Sequence, residues 1–268
     1  MTTESNLYAQ QVTTVLSYAL SVYGSFHYFL FHHHTAEYQT PFTGLWIITA
    51  IFWAFLLFTQ LLFVLQFFVS NESVTSREQK NVSAIVGYHF TLFNILNFFW
   101  TYFFSRHSFV ISFIILVANF FNLLSLYTLH KTYSVKTLGR FVVVHVSTAA
   151  LPLSWVLYAI FWNGAALFHS HNHGLAARIL ANVLIWDFLL VPFMYLAFYG
   201  DWAIGFSSAF LTLGIGLGQF FTKAIALQWI FAFIIAGLVF IASALVAVGS
   251  TLTPNARQSS SEQAPLLA

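Results

Sequence analysis

Long apolar stretches dominate this chain, and only short polar joints separate them. A helix needs roughly 20 predominantly apolar residues to cross a bilayer, and each stretch reaches that length. The last stretch, 203–250, is about twice as long as one span, so it must turn once, and we place the turn at 219–223. The pattern predicts eight spans: 8–31, 42–69, 82–104, 109–129, 141–162, 179–199 and the two halves of 203–250.

Three glycines, Gly214, Gly216 and Gly218, interrupt the seventh apolar segment. They are compatible with a break in a re-entrant segment that enters the membrane and returns to the same side. The spacing of Gly214 and Gly218 also matches the small-xxx-small pattern of closely packed membrane helices. The sequence alone leaves both interpretations open.

The composition agrees with the prediction of membrane spans, since 59% of the residues are hydrophobic and 6% are charged. A soluble domain cannot cover its surface with that composition. We therefore predict an all-α, polytopic transmembrane helical bundle over residues 1–253, in contact with membrane lipids, followed by a disordered tail over 254–268. The absence of cysteine excludes disulfides and thiolate metal sites. A net charge of +2 spread along the chain does not indicate nucleic-acid binding.

The basic residues predict the orientation, because positively charged loops stay on the cytoplasmic side of a membrane. The 131–140 loop holds three positive charges and no acid. Both termini are therefore predicted to be cytoplasmic. On the side of the termini lie Arg77, Lys80, Lys131, Lys136, Arg140 and Arg257, and on the other side lie Arg106, Arg178 and Lys223.

Seven histidines fall in the loops opposite the termini. Their imidazoles would change charge in an acidic lumen, or could gather into a copper, zinc or nickel site. No loop holds a complete tetrahedral ligand set, so we favour solvated histidines at the membrane interface and predict no cofactor. These histidines are His32, His33, His34, His107, His169, His171 and His173.

An enzyme is not predicted. Membrane di-iron hydroxylases and desaturases need several boxes of paired histidines near helix ends, whereas the groupings here are His-His-His and His-x-His-x-His. A histidine-dependent metalloenzyme remains the third alternative, behind the two classes described below.

Asp187 is the one acid that lies deep in a predicted span. A charge at mid-bilayer costs about 2.5 to 3.5 kcal/mol, so such a residue is a functional candidate. Pro192, five residues later, removes a backbone hydrogen bond and favours a kink that opens a polar cavity. Asp187 is therefore either a proton or cation site, or a hydrogen-bonded carboxyl that pins two helices together.

Two pairs of asparagines, each spaced i, i+3, lie on the third and fourth predicted spans. Each pair occupies one helix face, and the tight hairpin at 105–108 brings both pairs to a similar depth. We favour amides that hold the hairpin together over a substrate site. The pairs are Asn94 with Asn97, and Asn119 with Asn122.

Several tryptophans lie near the predicted span ends. Indole rings are enriched at membrane–water interfaces, where one edge is apolar and the other is wet. We expect Trp155, Trp162, Trp186 and Trp202 to be mostly interface anchors.

The tail carries the pattern acid-x-x-x-Leu-Leu in Glu262, Leu266 and Leu267. This pattern resembles the acidic dileucine signal that clathrin-adaptor complexes bind in the cytosol. An extended tail on the predicted cytosolic side suits such a signal, which directs a protein to a compartment and is not an activity. The motif predicts sorting toward a vacuole or lysosome.

Two segments, Ala159 to Ala166 and Arg178 to Trp186, resemble a family of uncharacterised fungal multispanning membrane proteins. The resemblance also takes in the region of Asn94 and Asn97. It implies a fungal endomembrane setting and carries no activity.

The sequence therefore predicts a multi-pass endomembrane protein, with the vacuole or Golgi favoured. The leading hypothesis is a transporter-like or proton-linked protein with Asp187 as its intramembrane site. The alternative is a non-transporting membrane organiser or trafficking factor, whose polar residues only pack helices.

Overall fold

The computed structural model describes residues 4–29, 39–66, 68, 74–135, 137–168, 175–222 and 227–252. Within these ranges the chain is helical and contains no strand. The described part holds nine helices. They are α1 Glu4–Gly24, α2 Trp46–Gln66, α3 Val74–Ser105, α4 Phe109–His130, α5 Leu138–Leu167, α6 Leu175–Leu184, α7 Asp187–Tyr199, α8 Trp202–Thr222 and α9 Gln228–Leu252.

Six long helical stretches are apolar enough to cross a membrane: α2, α4, α5, the α6–α7 pair, α8 and α9. The predicted all-α membrane bundle is therefore confirmed. Helix α8 continues to Thr222, through most of the predicted turn at 219–223, and α9 begins at Gln228. The predicted tail, including Glu262, Leu266 and Leu267, lies outside the described residues.

Helix α3 lies against α4 along most of its length. The Asn119 side-chain N–H donates to the Phe93 carbonyl, and that of Asn122 donates to the His89 carbonyl. With the 106–108 turn between the helices, these bonds make α3 antiparallel to α4. If α4 crosses the membrane, α3 crosses it too.

Helix α1 packs on α3 and runs parallel to it. Asn97 of α3 donates to the Ser21 hydroxyl, and Phe98 and Thr101 approach Gly24 one turn further along α1. The buried face of α1 is polar and its outer face is apolar, which is the arrangement expected of a helix in lipid. Its buried side chains include Gln10, Thr14, Ser17 and Ser21, and its exposed ones include Tyr8, Leu16 and Tyr23. Helices α1 and α3 thus pack with the six membrane-length stretches in one bundle.

The centre of the bundle is aromatic. The expectation that Trp155 and Trp162 anchor the interface was wrong, because their side chains are 0% and 3% exposed. Trp155 stacks edge-to-face on Trp53 and Trp100, with ring centroids 4.9 and 5.8 Å apart. The Trp100 indole N–H donates to the Asn163 side-chain oxygen. Edge-to-face packing and a partner for an indole N–H stabilise rings in the interior.

Helix α8 is continuous over 21 residues, so the glycines do not break it into a re-entrant segment. Gly214 and Gly218 instead line a groove that accepts non-helical backbone, residues 40–45, which we call the 40–45 segment. The Leu45 N–H donates to the Gly214 carbonyl at 2.8 Å. Because the segment fills this groove, α2 begins at Trp46 and not at Phe42 as predicted.

Gly218→Ala tests this groove. A Cβ at Gly218 would lie 2.6 Å from the Thr43 carbonyl oxygen and 2.9 Å from the Leu45 nitrogen. We expect a loss of about 1 to 3 kcal/mol in the free energy of unfolding, because overpacking forces backbone to move. Thermal unfolding in detergent measures it.

Gly237→Ala on α9 is the matched control, since a Cβ there meets no atom within 4 Å. Alanine should be neutral or stabilising by up to about 1 kcal/mol at that position. Equal stability of the two variants would contradict the close approach at Gly218.

Candidate functional site

Asp187 lies at a break in the middle of a span. Helix α6 ends at Leu184, two turn residues follow, and α7 begins at Asp187. Asp187 is the thirteenth of the 25 residues in the Leu175–Tyr199 span. A carboxylate in the first turn of a helix is favoured by the helix dipole. Pro192 lies inside α7, where it lacks the N–H that would continue the hydrogen-bond ladder.

Asp187 lines a small cleft between α5, α7 and α8. Tyr158 and Ser154 come from α5, and Ser208 and Leu211 come from α8. The cavity volume is about 20 Å³, which is room for one water molecule. The cleft is too small for an organic substrate in this conformation.

Serine hydroxyl groups line the cleft. The Ser154 and Ser207 oxygens are 2.6 Å apart, and the Ser208 hydroxyl donates to Ser154 at 3.3 Å. The Asp187 carboxylate makes no hydrogen bond to the part of the chain that the structure describes. A half-buried carboxylate next to hydroxyl groups can hold a proton, a water molecule or a small cation.

A second polar group lies at the opposite end of the bundle from the 106–108 hairpin. It consists of Tyr127, Thr132, His145 and Asp201, which we call the Asp201 cluster. One Asp201 oxygen accepts from the Tyr127 hydroxyl at 3.0 Å and lies 2.9 Å from His145 Nε2. The Thr132 hydroxyl lies 2.8 Å from His145 Nδ1. All four side chains are buried.

Asp201 also caps a helix. Its second oxygen accepts the Ala203 and Ile204 backbone N–H groups at 3.1 and 3.3 Å, which have no partner within α8. Gly200, with φ at 61°, ends α7 in the left-handed conformation that favours glycine. The Asp201 cluster therefore joins α4, the 131–135 stretch, α5 and the α7–α8 connection.

The sequence did not point to this cluster, because its members are far apart in the chain. One signal was available: Gly200-Asp201 before an apolar run is the pattern of a helix end followed by an N-cap. His145 lies in a ten-residue π-helical stretch of α5, Phe141–Ala150. Single π turns are frequent at functional sites, but sequence periodicity does not reveal them.

The environment lowers the pKa of the Asp201 carboxyl. Burial by itself raises that pKa, but the positive charge of His145 and the bonds from His145, Ile204 and Tyr127 outweigh it. The cluster therefore favours ionised Asp201 paired with His145.

The four asparagines are buried. Of the bonds expected across the hairpin, the structure contains those of Asn119 and Asn122. Asn119 and Asn122 bind α3 and Asn97 binds α1, whereas Asn94 donates to the Phe90 carbonyl of its own helix. The two pairs do not bond to each other.

Of the seven loop histidines, the described part of the chain includes His107. His107 lies in the α3–α4 hairpin with φ at 59°. In the described ranges no group of three or more metal ligands is found. The remaining six, His32, His33, His34, His169, His171 and His173, lie outside the described residues.

Residues 178–267, about a third of the chain, match a family model described as "Fungal protein of unknown function (DUF1774)". Over these residues the chain is similar to a fungal family of unknown function. The predicted resemblance is therefore confirmed. Of the segments that carried it, Arg178 to Trp186 falls inside the match, and so do Asp187 and Asp201.

One curated relative is an uncharacterized protein of Schizosaccharomyces pombe, C637.03, which is 44% identical over 94 residues. The match covers 35% of this chain and 33% of the relative. The chain thus aligns with about a third of that protein's length. No solved structure gives a significant match to this chain.

Asp201→Asn tests the Asp201 cluster. We expect the free energy of unfolding to fall by about 3 kcal/mol, because the change removes a carboxylate oxygen and leaves buried donors of the cluster without an acceptor. Thermal unfolding in detergent at neutral pH measures it. Asp187→Asn is the control and should change stability by less than about 0.5 kcal/mol, since that carboxylate has no partner among the described residues.

The stability that Asp201 contributes should also depend on pH. Because the folded pKa is depressed, the contribution is present above the ordinary carboxyl pKa and is lost as pH falls through the folded pKa. The difference in stability between wild type and Asp201→Asn should therefore shrink below about pH 4. A constant difference down to about pH 2 would contradict the ion pair.

Proposed function

We propose that this chain is a transporter-like, proton-linked membrane protein in which Asp187 is the intramembrane proton or cation site. One observation carries the proposal: the carboxylate lies at mid-span, at the start of a half-helix, and lines a cleft with Ser154 and Ser208. Broken spans with a half-helix beginning at the midplane are the usual construction of ion and substrate sites in secondary transporters.

The size and chemistry of the cleft limit what Asp187 binds. A volume of about 20 Å³ suits a proton carried by water, or a small cation, and excludes an organic solute. The contrast with Asp201 supports a functional role, because Asp201 has four bonding partners, whereas Asp187 has none among the described residues. An ionisable group held without a partner inside a membrane bundle is costly unless it has a use.

The second candidate is a non-transporting membrane organiser or trafficking factor. The interhelical bonds favour it, because the buried asparagines and the Asp201 cluster act as packing contacts and leave few polar groups for a solute path. In this alternative the Asp187 cleft is a packing defect that holds one water molecule.

The cellular setting belongs to the same proposal. We place the protein in a fungal endomembrane, the vacuole or Golgi, without enzymatic activity. The tail, with Glu262, Leu266 and Leu267, would engage a clathrin-adaptor complex from the cytosol, and the loop histidines would face an acidic lumen. The fungal relationship and the membrane-length helices support this setting.

Asp187→Asn and Asp187→Leu separate the two candidate functions. If Asp187 carries protons or cations, asparagine keeps its size and removes its ionisation, so the protein should fold normally and lose flux. If the cleft is only a packing defect, both variants should fold as well as the wild type, because Asp187 has no bonded partner among the described residues to leave unsatisfied. Proton or ion flux into reconstituted vesicles is compared across wild type and both variants.

Two outcomes would contradict the transport proposal. One is the absence of flux in the wild type across the tested ions. The other is intact flux in Asp187→Asn. Ser250→Ala near the end of α9, far from the cleft along the chain, is a control that should not alter flux.

Leu266→Ala combined with Leu267→Ala tests the sorting proposal. The double variant should leave its resident organelle for the cell surface or another compartment, because the adaptor motif has lost both leucines. Fluorescence microscopy of a tagged protein measures the change. Unchanged localisation would remove the sorting role without affecting the bundle.

A further inference from the structure

The 40–45 segment touches the residues that line the Asp187 cleft. Phe42 is 3% exposed, and its ring centroid lies 5.6 Å from that of Phe161 and 6.0 Å from that of Phe188. Phe161 and Phe188 both line the cleft, and their rings contact each other at 4.8 Å. The three rings form one aromatic cluster at the edge of the cleft.

This cluster lies at the end of the cleft that faces the 106–108 hairpin. Asn163, two residues after Phe161, bonds Ser112 and the Phe109 carbonyl beside the hairpin. The serines Ser154 and Ser208 lie further from the hairpin along α5 and α8. Phe42 therefore covers the hairpin end, and a solute from that side would have to pass it.

The segment is held to the bundle by hydrogen bonds to three residues. The Gln219 side chain donates to the Thr40 carbonyl at 3.0 Å and to the Thr43 carbonyl at 3.5 Å, and the Gly44 N–H donates to the Tyr158 hydroxyl at 2.9 Å. The Leu45 N–H donates to the Gly214 carbonyl, next to the start of α2. The Gln219 and Tyr158 bonds therefore attach the part of the segment that precedes Leu45.

Three further hydrogen bonds are internal to the segment. The Thr43 N–H donates to the Thr40 carbonyl, and the Thr40 N–H donates to the Thr43 hydroxyl. The Phe42 N–H donates to the Thr40 hydroxyl. Residues 40–43 thus form a self-bonded turn, which can move as a unit without leaving these N–H groups unpaired.

We propose that the 40–45 segment is the gate of the Asp187 cleft on the hairpin side, with Phe42 as its plug and Gln219 and Tyr158 as its latches. This inference rests on the proposed function, because a gate has a purpose only if Asp187 exchanges its proton or cation with that side. Opening releases the Gln219 and Tyr158 bonds, keeps the turn intact and pivots the segment at Leu45.

A single cysteine in the cleft tests the gate, because the natural chain contains none. Ser208→Cys places a thiol in the cleft. A charged, membrane-impermeant methanethiosulfonate is then added to each face of sealed, oriented vesicles in turn. With the segment unaltered, modification should be slow. Adding Gln219→Leu should speed modification from the hairpin face by about five- to tenfold, the effect of losing one or two hydrogen bonds on a closed–open equilibrium.

Gln60→Leu is the matched control, since Gln60 is a fully buried glutamine on α2 and lies about 21 Å along that helix from its start at Trp46. It should leave the modification rate unchanged. Tyr158→Phe removes the hydroxyl that accepts the Gly44 N–H and keeps the ring. Its modification rate tests the gate if Gln219→Leu does not fold. Only the monodisperse fraction of each variant is used.

Equal modification rates in all variants would overturn the gate, and so would acceleration from the face opposite the hairpin. Rapid modification with the segment unaltered would overturn it as well. Because modification requires no transport, the two proposals fail separately. If Gln219→Leu speeds modification but Asp187→Asn keeps its flux, only the transport role is removed. If Gln219→Leu leaves modification unchanged but Asp187→Asn loses its flux, only the gate is removed.

Discussion

A backbone N–H or C=O group inside a bilayer finds no water, so every such group must bond within the protein. The 40–45 segment meets this requirement without helical structure. Gly214 lies eight residues before the end of α8, so the segment reaches about 12 Å inward from that end. Each of its N–H groups has an acceptor, supplied by its own threonines, by Tyr158 or by Gly214. Gly218 makes this possible, because only a residue without a side chain leaves room for the Thr43 carbonyl.

The same requirement explains the different environments of the two buried acids. Asp201 lies where two helices meet end to end, and it supplies acceptors for the exposed N–H groups of α8 while pairing with His145. Its charge is neutralised and its bonds are complete, so it behaves as a structural joint. Asp187 also begins a helix, but its carboxylate faces a cleft with space for water. The acid with complete bonds joins the helices, whereas the other acid has no bonded partner in the described part of the chain.

The helical architecture could be predicted because apolar length and charge distribution are local properties of the sequence. Asp187 could be singled out for the same reason, as an acid inside an apolar run. The 40–45 segment could not, because its apolar residues look like the start of a span. The Asp201 cluster could not either, since Tyr127, His145 and Asp201 meet only after three helices pack. Trp155 and Trp162 were misplaced because hydropathy does not distinguish an interface indole from one buried among other rings.

The central claim is that Asp187 exchanges a proton with water from within the membrane. Infrared difference spectroscopy of the reconstituted protein during a pH titration tests it most directly, because a protonating carboxyl has its own C=O stretching band. Our account predicts a band that appears as the pH falls, shifts in heavy water and is absent from Asp187→Asn. A titration that is identical in wild type and Asp187→Asn would contradict it.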